Sequence, residues 1–215
     1  MTAATITWRG RAIPAVLPGV EYDEKEHRYT VFGERYPNVT GYLQPLRPGL
    51  EFMKNKAAMT WGTMLHRYAF HLVEGRLDMG RVVEEIRPTL EGFQKAVASL
   101  GVKDIHRALA EFIVYSKKRK FAGRLDFMFE AGEKDLLADF KTGCYGEAET
   151  RITALQLGGY AHALIEHGIT KPTRMRIAEV NVQRDGTWKT REFNVLEAMD
   201  VFLAQVKVKN YFDKI

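Results

Sequence analysis

Two aspartates and a lysine lie close together in the segment GRLDFMFEAGEKDLLADFK. Asp126 and Asp139 belong to two predicted strands joined by the turn AGEKD, a hairpin that would bring the two carboxylates side by side. Because side chains alternate along a strand, Asp139 and Lys141 project from one face and Phe140 from the other. An isolated Asp-x-Lys triplet is equally typical of an exposed ion pair. Here the triplet closes the apolar run LLADF, where charged groups need partners or a metal.

Such a cluster indicates a specific chemistry. Two converging carboxylates repel each other, and a divalent cation with oxygen ligands relieves that repulsion. Oxygen ligands in near-octahedral geometry favour Mg²⁺ or Mn²⁺, as one ion or two. A lysine beside the metal, here Lys141, can orient or deprotonate water or neutralise charge that develops on a phosphate. We therefore expect metal-dependent hydrolysis of phosphodiester bonds.

Four further polar residues could contribute to this cluster. Glu111 begins the predicted strand AEFIVYS and could reach the carboxylates from a neighbouring strand, although a surface salt bridge explains it equally well. His66 lies on the apolar stripe of a predicted helix, where a histidine is more often a packed core residue than a ligand. Gln156 and Tyr160 are four residues apart and share one helix face, as core-facing residues also would.

The elements that must position these residues follow from hydrophobic periodicity and turn signals. A hairpin is predicted around Gly33 in the range 29–36, with Thr40 as the cap of a short turn that follows. Helices are predicted over 60–75, capped by Thr60 and ended by Gly75, and over 88–100. After them come the strands AEFIVYS, AGRLDFMFE and DLLADFK, the helix TALQLGGYAHALIEHG, the strands RMRIAEVNV and WKTREFNV, and the helix LEAMDVFLAQVKVKNYF. This order predicts an α/β fold with a mixed central β-sheet flanked by helices.

Composition limits the class of protein. The chain has 215 residues, of which 46% are hydrophobic and 27% charged, so it can bury a core as a single domain. No apolar run approaches the roughly 18 residues of a membrane helix, and the N-terminus lacks a secretory leader, so we expect a cytoplasmic protein without a membrane partner. A lone cysteine, Cys144, can build neither a disulfide nor an iron–sulfur site. We assign 1–48 to an N-terminal hairpin and extension and 49–215 to the core.

The charge balance is basic. Lys and Arg number 32 against 27 Asp and Glu, a net charge of +5 that suits an anionic partner such as nucleic acid. A basic run on the approach to Asp126 gives this charge a location, although a solvated hairpin tip explains it equally well. The run contains Lys117, Lys118, Arg119, Lys120 and Arg124. Phe121 and Tyr145 flank the same region and could stack on bases, which would favour single-stranded DNA or frayed ends.

The order of these motifs resembles the RecB-like branch of the PD-(D/E)XK nuclease superfamily. The matching series is Gly62…His66, Glu111, Gly123-Arg124-Leu125-Asp126, Asp139-Phe140-Lys141 and Gln156…Tyr160, over roughly 29–160. In outline the resemblance extends to an H-x-Y…G…P-x-V-T segment seen in phage-type members. That segment comprises His27, Tyr29, Gly33, Pro37, Val39 and Thr40.

The resemblance implies a restriction-endonuclease-like core and a role for each matched residue. His66, Asp126 and Asp139 would be metal ligands, together with the Phe140 carbonyl. Lys141 would act in catalysis, the Gln156–Tyr160 helix would help to place the DNA strand, and Glu111 matches an acidic position whose role varies.

The resemblance also implies the reaction and its substrate. We expect an exonuclease without an iron–sulfur cluster that leaves 5′-phosphate and 3′-hydroxyl ends on single-stranded or duplex DNA in recombination, repair or replication. An endonuclease and a catalytically silent DNA-binding scaffold are the alternatives. A recombinase, an annealing protein or a helicase would be its protein partner.

Overall fold

The computed structural model describes residues 4–47, 56–143 and 146–213. The strands are β1 (Thr5–Trp8), β2 (Arg11–Pro14), β3 (Val20–Asp23), β4 (Arg28–Val31), β5 (Glu34–Tyr36), β6 (Ala108–Ala110), β7 (Ile113–Ser116), β8 (Phe121–Arg124), β9 (Phe127–Ala131), β10 (Lys134–Thr142), β11 (Met175–Val182) and β12 (Trp188–Phe193). The helices are α1 (Val39–Leu43), α2 (Lys56–Val73), α3 (Arg87–Ser99), α4 (Glu147–Glu166) and α5 (Val195–Phe212).

A five-stranded mixed sheet lies at the centre, in the order β12-β11-β10-β9-β6. Strands β10 and β11 are parallel, and the other neighbours in this sheet are antiparallel. The connection from β10 to β11 is the helix α4, the crossover that a parallel pair requires. The predicted α/β class, with a mixed central sheet flanked by helices, is confirmed.

Each face of the sheet packs against its own pair of helices. Leu137 and Ile177 face the core that contains α4 and α5. Leu136 and Val180 face the second core, which contains α2 and α3. This alternation along β10 and β11 is the two-residue period of a strand buried on both faces. It explains why DLLADF and IAEV are almost continuously apolar.

The N-terminal segment adds small antiparallel units to the first of these cores. The predicted hairpin around Gly33 is confirmed, because β4 and β5 pair antiparallel on either side of Phe32 and Gly33. A further hairpin of β1 and β2, which the sequence analysis did not predict, packs Trp8 into the same core. The predicted cap Thr40 is wrong, since Asn38 caps α1 by accepting a hydrogen bond from the Gly41 N–H.

Other boundaries also differ from the prediction. The helix α2 begins at Lys56, so Thr60 lies inside it rather than capping it. Its end agrees with the sequence, since Gly75 follows in the left-handed region with φ of +67°. The turn between β9 and β10 is shorter than the predicted AGEKD, because Ala131 already pairs with Lys134. Gly132 supplies the positive φ that so tight a turn needs.

Within the described ranges, no helix has the length and apolar character needed to cross a membrane.

Candidate metal centre

Asp126 lies at a bend rather than in a strand. The strand β8 ends at Arg124 in a two-stranded sheet with β7, and β9 begins at Phe127 in the central sheet. The chain passes from one sheet to the other at Asp126, so the prediction that it belongs to a continuous strand is wrong. Its Oδ2 accepts a hydrogen bond of 2.9 Å from the backbone N–H of Phe140, which fixes the carboxylate beside β10.

Glu111 occupies the matching bend on the neighbouring segment. It lies between β6 and β7 with φ of +52°, and its backbone N–H donates to the Asp126 carbonyl oxygen at 2.9 Å. The prediction that Glu111 begins a strand is therefore wrong, since the chain leaves the central sheet at this residue. Its Oε2 lies 2.8 Å from Nε of Arg124, so the ion pair weighed in the sequence analysis is present. Burial raises the pKa of the Glu111 carboxyl above its usual value.

His66 faces these two acids from α2. Its Nδ1 lies 3.6 Å from Oδ2 of Asp126, and its ring lies 5.1 Å from the ring of Phe140. The side chain is 30% exposed, so it is not a fully packed core histidine. His66, Glu111 and Asp126 each offer one ligand atom, and these atoms lie within 4.8 Å of one another. One imidazole nitrogen and two carboxylate oxygens are a donor set that fits Mn²⁺, and Mg²⁺ with water as its other ligands.

Asp139 is the most deeply buried acid of the group, with a side chain only 2% exposed. Its Oδ1 accepts a hydrogen bond of 2.9 Å from Nε2 of Gln156, and its Oδ2 lies 2.5 Å from Nζ of Lys141. Burial raises the pKa of the Asp139 carboxyl to about 6, and the negative charge of Asp126 adds to this, while Lys141 opposes it. Phe140 projects into the opposite core against Phe93, so the predicted alternation along Asp-Phe-Lys is confirmed.

The helix α4 supplies the polar support for Asp139. Gln156 bridges Asp139 and the hydroxyl of Tyr160, which lies 3.4 Å from Nε2. Tyr160 is buried, and burial raises the pKa of its phenol well above the usual value, so the hydroxyl stays protonated. The buried Tyr160 ring also explains why residue 123 is a glycine, because a Cβ at this position would lie 2.5 Å from Cε1 of Tyr160. The predicted shared face of Gln156 and Tyr160 is thus directed at the acidic cluster.

One buried acid of this region was missed by the sequence analysis. Glu179 lies on β11 directly beside Asp139 on β10, and paired residues of neighbouring strands face the same side. Thr150 of α4 lies 3.5 Å from its Oε1, and its Oε2 is buried with no hydrogen-bond partner among the described residues. A glutamate inside the apolar run RIAEV was the signal that could have identified it.

The basic run is divided between two ends of one hairpin. Arg124 lies at the acidic cluster, where it pairs with Glu111 and places its guanidinium 5.2 Å from the ring centre of Tyr22. Residues 117–120 form the turn at the other end of β7 and β8. There Lys120 pairs with Glu34 at 2.6 Å, and Lys117 lies over the ring of Phe32.

Phe121 and Tyr145 are the two aromatic residues that the sequence suggested for base stacking. Phe121 is fully buried against Phe202, so the prediction that it stacks on bases is wrong. Strand alternation turns its ring inward while the lysines of the turn remain outside. Tyr145, like Cys144, lies outside the described residues.

No protein-family model matches the chain, and a search of curated proteins finds no match.

Proposed function

We propose that this chain is a divalent-metal-dependent deoxyribonuclease with a PD-(D/E)XK core of the RecB-like type. The observation that carries the proposal is the convergence of His66, Glu111 and Asp126 from three separate segments, with Asp139 and Lys141 alongside. A structural ion pair needs two partners, whereas three ligand atoms within 4.8 Å of one another are suited to a cation. The mixed sheet flanked by helices is the architecture expected for such a core.

Each residue of the acidic cluster has a separate proposed role. His66, Glu111 and Asp126 would hold the cation, and the neighbouring Asp139 would be a further ligand. A bound divalent ion activates water and stabilises negative charge on the phosphate oxygens. Gln156 orients Asp139 through its hydrogen bond, and the Phe140 N–H orients Asp126. Lys141 is then positioned to orient the attacking water or to neutralise charge on the phosphate.

The substrate proposed here is DNA, cut from an end to leave 5′-phosphate and 3′-hydroxyl products. The net charge of +5 and the position of Arg124 at the cluster favour a polyanion. The proposed partner is a recombinase, an annealing protein or a helicase.

The direct test is cleavage of end-labelled linear DNA by the purified protein with Mg²⁺ or Mn²⁺. Asp126→Asn and Lys141→Met should each lower the rate by at least about a hundredfold, in the range of lost catalytic groups. His71→Ala, on the same helix as His66, is the matched control and should keep the wild-type rate. Undiminished cleavage by either site variant would reject the assignment.

A second arm of the experiment separates the related activities. Degradation of linear but not covalently closed circular DNA identifies an exonuclease, whereas nicking of the circle identifies an endonuclease. If the protein binds DNA in a salt-sensitive way but does not cleave it in the presence of any divalent ion, it is a catalytically silent DNA-binding scaffold.

A further inference from the structure

A small basic cavity lies outside the metal centre. It has a volume of about 220 Å³, and its lining includes His27, Arg28, Arg35, Asn38 and Lys209. Every charged side chain in the lining is basic, and the histidine adds a further nitrogen donor. Three separate parts of the fold build it: the sheet of β3, β4 and β5, the start of α1, and the last turn of α5.

Strand pairing fixes the backbone positions of the two arginines of this cavity. Arg28 and Arg35 lie on the paired strands β4 and β5, and the hydroxyl of Tyr22 lies 2.9 Å from Nδ1 of His27. Arg28 pairs with Asp23 at 3.3 Å, and Lys209 pairs with Asp213 at 2.8 Å. These carboxylates lie in exposed pairs, which are weak and easily exchanged for another anion. In the part of the chain that the structure describes, no carboxylate forms an ion pair with Arg35.

The cavity is connected to the metal centre by direct contacts. The ring of Tyr22 lies 6.3 Å from the ring of His27 on one side and 5.2 Å from the Arg124 guanidinium on the other. The strand β8 runs alongside, because the Ala122 N–H donates to the Pro37 carbonyl oxygen at 3.0 Å. Tyr22 therefore lies between His27 of the cavity and Arg124 of the metal centre. A nucleic-acid strand carries a negative charge about every 3.4 Å along its axis, so a strand bound at the metal centre would have further phosphates within reach of the cavity.

We propose that this cavity binds a backbone phosphate of the DNA strand whose scissile phosphate lies at the metal centre. The proposal rests on the proposed nuclease function and adds to it a second contact site, several nucleotides away. Two guanidinium groups, an ammonium and an imidazole suit a phosphate because it accepts charge-assisted hydrogen bonds on all its free oxygens. The site would give longer strands an advantage over short ones and would leave the chemistry of cleavage unchanged.

The test compares a long single-stranded oligonucleotide with a dinucleotide as substrates for the Mg²⁺-loaded protein. The double variant Arg35→Ala/Lys209→Ala should raise KM for the long strand roughly tenfold, as expected for lost charged hydrogen bonds, with kcat unchanged. Cleavage of the dinucleotide should not change. The dependence of long-strand binding on salt should also weaken, by about 0.7 in the logarithmic slope for the lost phosphate contact. Arg81→Ala, an exposed arginine of the α2–α3 connection, is the control and should leave every value unchanged.

The outcomes distinguish this proposal from the one on which it rests. If wild-type protein cleaves neither substrate, the nuclease function fails. If it cleaves both and the double variant keeps the wild-type KM and salt slope for the long strand, the phosphate site is overturned. Circular dichroism spectra and melting temperatures that match wild type show that a raised KM does not come from unfolding. If the double variant melts early, the single variants Arg35→Ala and Lys209→Ala replace it in the same comparison.

Discussion

Asp139 carries the least solvated charge of the site, and this determines how stability should depend on pH. The usual pKa of an aspartate is about 4, whereas burial raises that of Asp139 to about 6. The folded protein therefore binds this proton more tightly than the unfolded chain. The contribution of Asp139 to the free energy of unfolding is fully present below about pH 4 and is lost as the pH rises through about 6.

Asp139→Asn should remove this dependence. In metal-free buffer, the free energy of unfolding of the wild type should fall by about 2 kcal/mol more than that of the variant between pH 4 and pH 7. Urea denaturation at a series of pH values measures the difference. Parallel pH profiles for the two proteins would show that the carboxyl titrates normally.

The sequence allows two roles for His66, a metal ligand or a packed core residue. As a metal ligand, it should bind Mn²⁺ directly, and His66→Ala should weaken Mn²⁺ binding at least about tenfold in calorimetric titrations. His71→Ala is the control on the same helix and should bind Mn²⁺ as the wild type does. Equal affinity in all three proteins would assign His66 to packing alone.

At the level of single residues, the sequence predicted on which face of a strand a side chain lies. It predicted less well which residues belong to a strand. Strand alternation correctly placed Asp139 opposite Phe140, because a two-residue period is a local property. The bends at Asp126 and Glu111 were not predictable in this way. They exist because β7 and β8 pair with each other outside the central sheet, and that pairing depends on contacts distant in sequence.

Among the elements, the packing of α4 on α5 depends on small residues. A Cβ on Gly158 would lie 2.5 Å from the backbone of Ala198, and backbone atoms cannot move aside as a flexible side chain can. Beside it, Gly159 faces the ring of Phe202, so the adjacent glycines allow the two helices to approach closely. The close approach also holds the Gln156 segment of α4 on the sheet.

Gly158→Ala should lower the free energy of unfolding by about 2 kcal/mol, because overpacking outweighs the better helix propensity of alanine. Gly62→Ala is a matched control within α2, where the added Cβ would meet only Thr142 Oγ1 at 3.5 Å. That variant should be as stable as the wild type or slightly more so. Thermal denaturation of both variants measures the contrast, and equal melting temperatures would contradict the close packing.

Periodicity predicted the elements of the C-terminal half well and those of the N-terminal segment less well. Strands β11 and β12 and helix α5 agree with their predicted runs, because each has a strong pattern bounded by clear turn signals. The β1–β2 hairpin was missed because each of its strands has only four residues, too few to show a clear period. Short strands gain their stability from the surface on which they pack.

In the molecule as a whole, a buried ion cluster joins this N-terminal hairpin to the central sheet. Arg9, in the turn between β1 and β2, places Nε 2.8 Å from Oδ1 of Asp135 at the start of β10. The Asp135 side chain is only 2% exposed, and the Thr170 hydroxyl donates to its other oxygen. Arg9 also donates to the Gly132 carbonyl oxygen at 2.6 Å. The hairpin is thus held to the β9–β10 turn by an ion pair and hydrogen bonds of Arg9.

Arg9→Ala should lower the free energy of unfolding by about 3 kcal/mol, since it leaves a buried carboxylate without its principal cation. Arg81→Ala removes a fully exposed pair with Asp78 and should change stability by less than about 1 kcal/mol. Chemical denaturation of the two variants gives the comparison. A loss of similar size in both would mean that the Arg9–Asp135 pair is no stronger than a surface pair.

The proposed metal centre rests on the claim that distant segments of this fold converge on one divalent cation. The most direct measurement is an anomalous-difference map from crystals of the protein soaked in Mn²⁺. We predict a peak about 2.0–2.4 Å from carboxylate oxygens of Asp126 and Glu111 and near the His66 ring, and its loss in Asp126→Asn. Saturating Mn²⁺ without a peak at these residues, or with one only elsewhere on the surface, would contradict the claim.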